Sequence, residues 1–294
     1  MDNHQNHLDR LEDLISKAKA AGADAVDAIL ISSTSLPVSR RLGNPEHLER
    51  SESSDIGLRV FVGKKQAIVS SSDLSENALA ALPDRAVAMA RVVPEDPFCG
   101  LAPSDILAAD TPDLDMCDPL EPSAETLIEW ASEAEDAALG VKGVSNSEGG
   151  HAGWSLATVG LAASNGMAHA YRRSQFSISA SVVAGEGTAM ERDYDYSAAV
   201  HAADLASPGD IGLLAGEKAV RRLNPRQVET TQVPVVYDPR VARTIPGHLA
   251  SAINGTAVAR GTTFLRDKLG ASVFPNSVSI IDDQIGRASC RERV

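Results

Sequence analysis

The spacing of apolar positions changes repeatedly along the first ninety residues, and each change marks an element. Leu8, Leu11, Leu14, Ile15 and Ala18 recur at helical spacing and Gly22 closes the run, which predicts an amphipathic helix lying on a sheet. A β-prone run follows over residues 26–38. Residues 56–62 and 66–71 then flank Gly63-Lys64-Lys65 in a hairpin pattern, with Arg59 set between apolar neighbours. Asp73 stands three residues before Glu76 at the head of residues 78–92, the spacing of a capping box, and Pro83 is expected to start or kink that helix. Residues 1–93 therefore predict an N-terminal α+β domain, a mixed sheet with covering helices.

Between Pro94 and Pro122 six prolines are interleaved with eight acids, so residues 94–122 are expected to be an irregular, acidic linker. Leu127, Ile128, Ala131, Ala134, Ala138 and Leu139 predict a further helix whose Glu125, Glu129 and Glu133 line its wet face. From about 144 to 199 small and apolar residues alternate, which predicts an antiparallel β-meander. Phe176, Ile178, Ala180 and Val182 share one face, and Asn165-Gly166 is expected to form a two-residue hairpin turn with positive φ at both positions. Ser207-Pro208 reads as N-cap and first helical residue of a helix ending near Leu223. Residues 123–227 thus form one predicted block of helix, meander and helix. Beyond it, residues 234–237 and 277–281 are expected as short strands and residues 246–260 as a helix. The fold class expected is α+β throughout.

Composition adds exclusions. Apolar residues make up 43% and charged residues 23%, while aromatics reach only 4%, which excludes disordered, collagen-like and disulfide-rich classes. No apolar run approaches the ~18 residues of a spanning helix and residues 1–10 are polar, so a cytoplasmic protein without membrane contact is expected. The formal net charge is −13, and residues 93–141 hold thirteen acids with no Lys or Arg. That distribution disfavours direct nucleic-acid binding. Cys99, Cys117 and Cys290 have neither disulfide-framework nor CxxC spacing.

Candidate chemistry is sparse. Glu191, Asp193 and Asp195 fall on one face of a strand, beside Glu186, with Arg192, Tyr194 and Tyr196 opposite. Three readings stay open for these acids: a solvated outward face, a strand contacting substrate or partner, or a carboxylate catalyst. No HxxxH or HExxH pair occurs, so no local zinc signature is complete; His248 is the one histidine on a predicted helix with an apolar face. The segment from Ile285 to Val294 back-translates codon by codon into a widely used sequencing adapter. Residues 284–294 are therefore expected to be a non-native tail, and the native chain to continue beyond about Asp283.

Four segments carry a resemblance. They are residues 20–25 (AAGADA), 50–63 (RSESSDIGLRVFVG), 187–196 (GTAMERDYDY), and 238–242 (DPRVA) leading into 254–262 (NGTAVARGT). Over residues 10–283 the chain resembles the TldD/PmbA family, in its PmbA (TldE) branch. The resemblance implies a cytoplasmic subunit that pairs with a TldD-like catalytic subunit in a zinc-dependent peptidase acting on small or unfolded peptides; an older family label is modulator of DNA gyrase. It also implies that residues 228–283 begin a truncated metallopeptidase-like C-terminal domain. Family members that bind zinc carry HExxxH, two histidine ligands and a glutamate that activates water, plus a later cysteine. Here Arg243 stands at the first histidine, Thr244 at the glutamate and His248 at the second histidine. Arg cannot supply a neutral nitrogen ligand and Thr cannot act as the carboxylate base, and Pro246 is expected to disrupt the helix. No metal or catalytic residue is therefore expected in this chain, with zinc in the partner. Glu191, Arg192, Asp193, Tyr194 and Asp195 are the expected contacts with substrate or partner. The alternatives are a regulatory protein-binding factor without proteolytic role and, last, a stand-alone hydrolase using the strand carboxylates.

Overall fold

The computed structural model describes residues 3–108 and 112–281; the adapter-like tail and Cys290 lie outside them. Two units divide the chain, Met1–Pro225 and Arg226–Val294.

The first unit is one seven-stranded antiparallel sheet with four helices. In chain order it runs α1 (Asn3–Ala20), β1 (Ala25–Arg41), β2 (Asn44–Leu48), β3 (Ser51–Val62), β4 (Lys65–Ser71), α2 (Glu76–Val92), α3 (Ala124–Leu139), β5 (Val144–Ala163), β6 (Ala168–Ala184), β7 (Glu191–Ala199) and α4 (Pro208–Arg221). The strand order is β4-β3-β1-β5-β6-β7, with β2 paired to the far end of β1. Among the described residues of 94–122 the regular structure is a short 3₁₀ turn at Ser104–Ile106. Residues 94–122 join two stretches whose strands pair directly, since β1 pairs with β3 on one edge and with β5, from Asp27↔Ala163 to Arg40↔Gly150, on the other.

Alternation along β1 decides the layering. Val26, Ala28, Leu30, Leu36 and Val38 are buried on one face, as a half-covered sheet requires. The first three join Leu11, Leu14 and Ala18 of α1 and Leu82, Ala86 and Val87 of α2. Leu36 and Val38 join Leu127 and Ala131 of α3 with Trp154 and Phe176. Ala134 and Ala138 of α3 meet Ala215 and Ala219 of α4 over Ile178, Ala180 and Val182. All four helices therefore cover the same face, in two pairs. The packing is close both between helix and sheet and between helices: a Cβ on Gly150 of β5 would sit 2.1 Å from the Ala131 carbonyl oxygen of α3, and one on Gly212 of α4 would sit 2.0 Å from that of Ala134 of α3.

Local expectations are corrected at several points. The N-cap of α2 is Ser75, whose hydroxyl accepts from the Ala78 amide; Asp73 instead accepts from the Ser75 amide at 2.9 Å and positions the cap. Pro83 neither starts nor ends α2 but lies buried inside it, where packing on the sheet offsets one lost helical hydrogen bond. At the β5–β6 turn the Ala163 carbonyl accepts from Gly166 at 3.1 Å, and only Gly166 takes positive φ, 97°. That is a turn followed by a left-handed glycine, with Asn165 freed to bind the Met167 amide and the Ala102 carbonyl. Strand β2 was not anticipated, because Asn-Pro-Glu-His-Leu is polar and exposed throughout.

The second unit contains α5 (Pro239–Ala242), α6 (Thr244–Ile253) and α7 (Gly255–Ala259). Residues 234–237 and 277–281 are not strands: neither run has a partner among the described residues, and Val236 and Ile281 stand exposed. Pro246 does not disrupt α6. It occupies the first turn, where amides have no helical acceptor to lose. Among the described residues of this unit only Ala252 is buried.

Candidate functional site

Two places hold the residues singled out in the sequence, one in each unit. The first is β7, the terminal strand of the sheet. Its burial alternates, so Glu191, Asp193 and Asp195 share one face and Arg192, Tyr194 and Tyr196 the other. The acidic face is not solvated: it looks onto α4. Asp195 pairs with Lys218 at 2.9 Å, and Asp193, only 4% exposed, pairs with Arg222 at 3.1 Å, with Glu191 4.0 Å from the same guanidinium. The match is geometric. Two strand residues advance about 6.8 Å and four helical residues about 6 Å, so carboxylates at i and i+2 meet cations at i and i+4. Asp193 also accepts from the Tyr194 amide at 2.8 Å. These carboxylates fasten α4 to the sheet edge. Lys218 and Arg222, spaced four apart at the end of an amphipathic helix, are the signal in the sequence that could have shown the acids turning inward.

The opposite face of β7 is open. Tyr194 and Tyr196 are 46% and 44% exposed, with ring centroids 6.3 Å apart and planes 25° from parallel. Arg192 reaches Glu148 at 3.0 Å, and Glu148 also accepts from the Ser181 hydroxyl at 3.0 Å, which ties β5, β6 and β7 together. Glu148 was missed in the sequence because it sits where the β5–β6 register shifts. Glu186 precedes β7 and flanks a 3₁₀ turn at Gly187–Ala189.

The second place is the start of α6. Arg243 closes α5 and precedes α6, outside the helix, while Thr244 and His248 lie four apart within it. All three are exposed. The Thr244 hydroxyl donates to the Val241 carbonyl at 2.7 Å. Of these three side chains only the His248 imidazole can bind zinc; a guanidinium has no lone pair to give and a threonine hydroxyl is too weak a base to activate water. The residues present therefore do not fit a zinc centre of the HExxxH kind. Among the described residues no cluster of three or more His, Cys, Asp or Glu is arranged to hold a metal ion.

Comparisons with known proteins show the family. Family descriptions of the PmbA/TldA metallopeptidase match in three consecutive parts: domain 1 at residues 26–90, the central domain at 117–223 and the C-terminal domain at 230–291. The chain belongs to the PmbA/TldD metallopeptidase family. It is 35% identical over 274 residues to Metalloprotease PmbA of Escherichia coli O157:H7, covering 92% of this chain and 61% of that protein. It is also 35% identical over 267 residues to the Metalloprotease PmbA homolog of Haemophilus influenzae, covering 90% of this chain and 59% of that protein. The chain thus spans about three-fifths of the length of these relatives. In fold it is similar to a candidate modulator of DNA gyrase from Bacteroides thetaiotaomicron, with a TM-score of 0.80 at 24% identity over 90% of this chain and 60% of that one. It is similar in the same way to TldE from Thermococcus kodakarensis, with a TM-score of 0.64 at 17% identity over 88% and 58%. Among the described residues no helix is long and apolar enough to cross a membrane.

Proposed function

We propose that this chain is the non-catalytic, PmbA/TldE-type subunit of a two-component zinc-dependent peptidase that acts on small or unfolded peptides in the cytoplasm. The observation that carries the reading is the replacement at the α6 start: Arg243 and Thr244 stand where a zinc-binding subunit needs a histidine and a glutamate. Zinc and the water it activates then belong to a TldD-like partner, and this subunit shapes the peptide groove. Strand β7 suits that task. It is the last strand of its sheet, so an extended peptide can add to it through main-chain hydrogen bonds, beside Tyr194 and Tyr196. The net charge of −13 supports protein or peptide partners over nucleic acid.

The test is a peptidase assay on the full-length subunit and its TldD-like partner from the same genome, each alone and mixed, with zinc measured in every sample. Activity and stoichiometric zinc only when the partner is present support the reading. Zinc and activity in this subunit alone overturn it. A second reading, a regulatory factor acting on gyrase by protein contact, is favoured by one observation, the gyrase-modulator description of a similar structure. It expects an effect on gyrase that persists when proteolysis is blocked by chelator.

A further inference from the structure

The two helix pairs leave a gap between them, and the sheet floor of that gap breaks the apolar pattern. Along β1 the covered face runs Val26, Ala28, Leu30, then Ser32 and Thr34, then Leu36 and Val38. The polar interval is not confined to one strand. Register places Ser54 of β3 beside Ser32, Ser32 beside Thr158 of β5, and Thr158 beside Arg172 of β6. The next row holds Glu52 beside Thr34. Hydroxyls on adjacent strands are joined: Ser32 and Ser54 are 2.8 Å apart, and the His7 Nε2 of α1 is 3.1 Å from Ser32. Ser32, Thr34, Glu52, Ser54, Thr158 and Arg172 line a cleft of about 640 Å³, within the roughly 300–1,000 Å³ range of small-molecule sites.

The charges lie at opposite ends. Arg172 closes the row on β6, and no described residue forms a hydrogen bond or ion pair with it. Glu52, at the β3 end, shares its carboxylate with Arg50 at 3.3 Å. Three strand spacings separate β3 from β6, about 14 Å, and an extended tripeptide spans about 10 Å. One guanidinium with neutral hydroxyl donors matches the single negative charge and planar fork of a carboxylate. An acid at the far end matches an ammonium group and opposes a polyanion.

From this juxtaposition we infer that the cleft between the helix pairs binds a short zwitterionic peptide, with its terminal carboxylate on Arg172, its backbone on the Ser32, Ser54 and Thr158 hydroxyls, and its amino end toward Glu52. The peptide nature of the ligand rests on the peptidase reading; its charge pattern rests on the cleft. Binding here needs neither the partner nor zinc, so it is measured on this chain alone and its failure is separate from failure of the subunit reading.

The experiment is calorimetric titration of the whole chain with triglycine, triglycine amide and inorganic phosphate. Triglycine is expected to saturate at or below about 10 mM, with at least tenfold weaker binding of the amide. Arg172→Ala, an exposed position, is expected to weaken triglycine at least tenfold while Arg85→Ala on α2 leaves it unchanged. Ser54→Ala is expected to weaken it two- to threefold. Absence of saturable binding, equal affinity for triglycine and its amide, tighter binding of phosphate than of triglycine, or an unaltered Arg172→Ala each overturn the assignment.

Discussion

The Leu42 amide donates to the Glu135 carboxylate at 2.7 Å, and this bond fastens the tip of the β1–β2 hairpin to the middle of α3. Leu42 has φ of +49° and Gly43 of +78°, so the turn has the mirror-image form that suits hairpin twist but strains a branched side chain. The carboxylate also accepts from the Gly43 amide at 3.2 Å and the Ser147 hydroxyl at 2.5 Å, and the residue is 1% exposed. Glu135→Ala leaves the buried Ser147 hydroxyl and the part-buried Leu42 and Gly43 amides without this acceptor and is expected to cost about 1–3 kcal/mol. Chemical denaturation reads it; a loss under about 0.5 kcal/mol would show that the network contributes little.

Close approach of α3 to strand β5 and to helix α4 gives a second expectation. Gly150→Ala and Gly212→Ala each place a methyl about 2 Å from a backbone oxygen, which packing cannot absorb without moving α3 or α4. Each is expected to cost at least about 3 kcal/mol or abolish soluble expression. Gly153→Ala, on the same strand with its nearest atom at 3.4 Å, is expected to be near neutral in the same melting experiment.

The two arginines of the β7 region separate structural from surface charge. Arg222→Ala removes an ion-pair partner of the buried Asp193 carboxylate and is expected to destabilise by about 2–3 kcal/mol, toward the lower side of buried pairs because the guanidinium itself is half-exposed. Arg192→Ala removes an exposed pair with Glu148 and is expected to cost less than about 1 kcal/mol. Under the proposed function only the second variant lowers peptidase activity at unchanged stability. Equal denaturation midpoints would contradict this division.

A pH dependence belongs to His201. Its pKa is raised, first by the hydrogen bond to the Asp115 carbonyl, against some desolvation, and then by the charges of Asp115, Asp118 and Asp204. Asp118 moves the other way: despite desolvation, the Leu120 and Ala202 amides and His201 hold its pKa low. A raised histidine stabilises fully below its unfolded value near 6.5 and loses that contribution as pH rises through the folded value. A lowered aspartate stabilises above its unfolded value and loses the contribution as pH falls through its own folded value. Residues 115–118 lie against His201 and Ser174. Their hydrogen-exchange protection, corrected for intrinsic rate, is therefore expected to be greater at pH 6 than at pH 8. His201→Ala should flatten that difference; an unchanged profile would remove His201 as the cause.

The second unit should yield first to protease. Arg226 is exposed and only Ala252 is buried among residues 226–281, so little burial opposes local opening. Brief trypsin treatment is expected to leave a resistant product ending near Arg226. Survival of the intact chain at concentrations that digest an unfolded control would contradict this.

Much of the first unit was legible because its patterns are local. The 3.6 period of α1, the Ser207-Pro208 start of α4 and the alternation of Phe176, Ile178, Ala180 and Val182 all depend on nearest neighbours, and each element formed where expected. What escaped depends on pairing across the chain. Residues 234–237 carry strand propensity without a partner strand among the described residues, and Asn44–Leu48 forms a strand without propensity because the Leu42-Gly43 turn folds it onto β1. Glu135 was readable in part, since it stands four residues after Ala131 on the apolar stripe of α3, where a solvated acid has no place. The inward turn of Glu191, Asp193 and Asp195 needed Lys218 and Arg222, at the far end of the helix that follows. At α6 the chemistry of Arg243 and Thr244 was plain from residue type alone, while the tolerance of Pro246 depended on where the helix begins.

The central position of β1 has a consequence for synthesis. Asp27 emerges from the ribosome early, yet its partner Ala163 follows only after α2, the acidic stretch and α3. Until then β1 can close only on β2 and β3, and its other edge stays open as a template for any extended chain nearby. Folding of this sheet is thus set by a long-range closure, of the kind that slows nucleation and exposes nascent chains to misassembly. The nascent protein should depend on holding chaperones until β5 arrives and release them then.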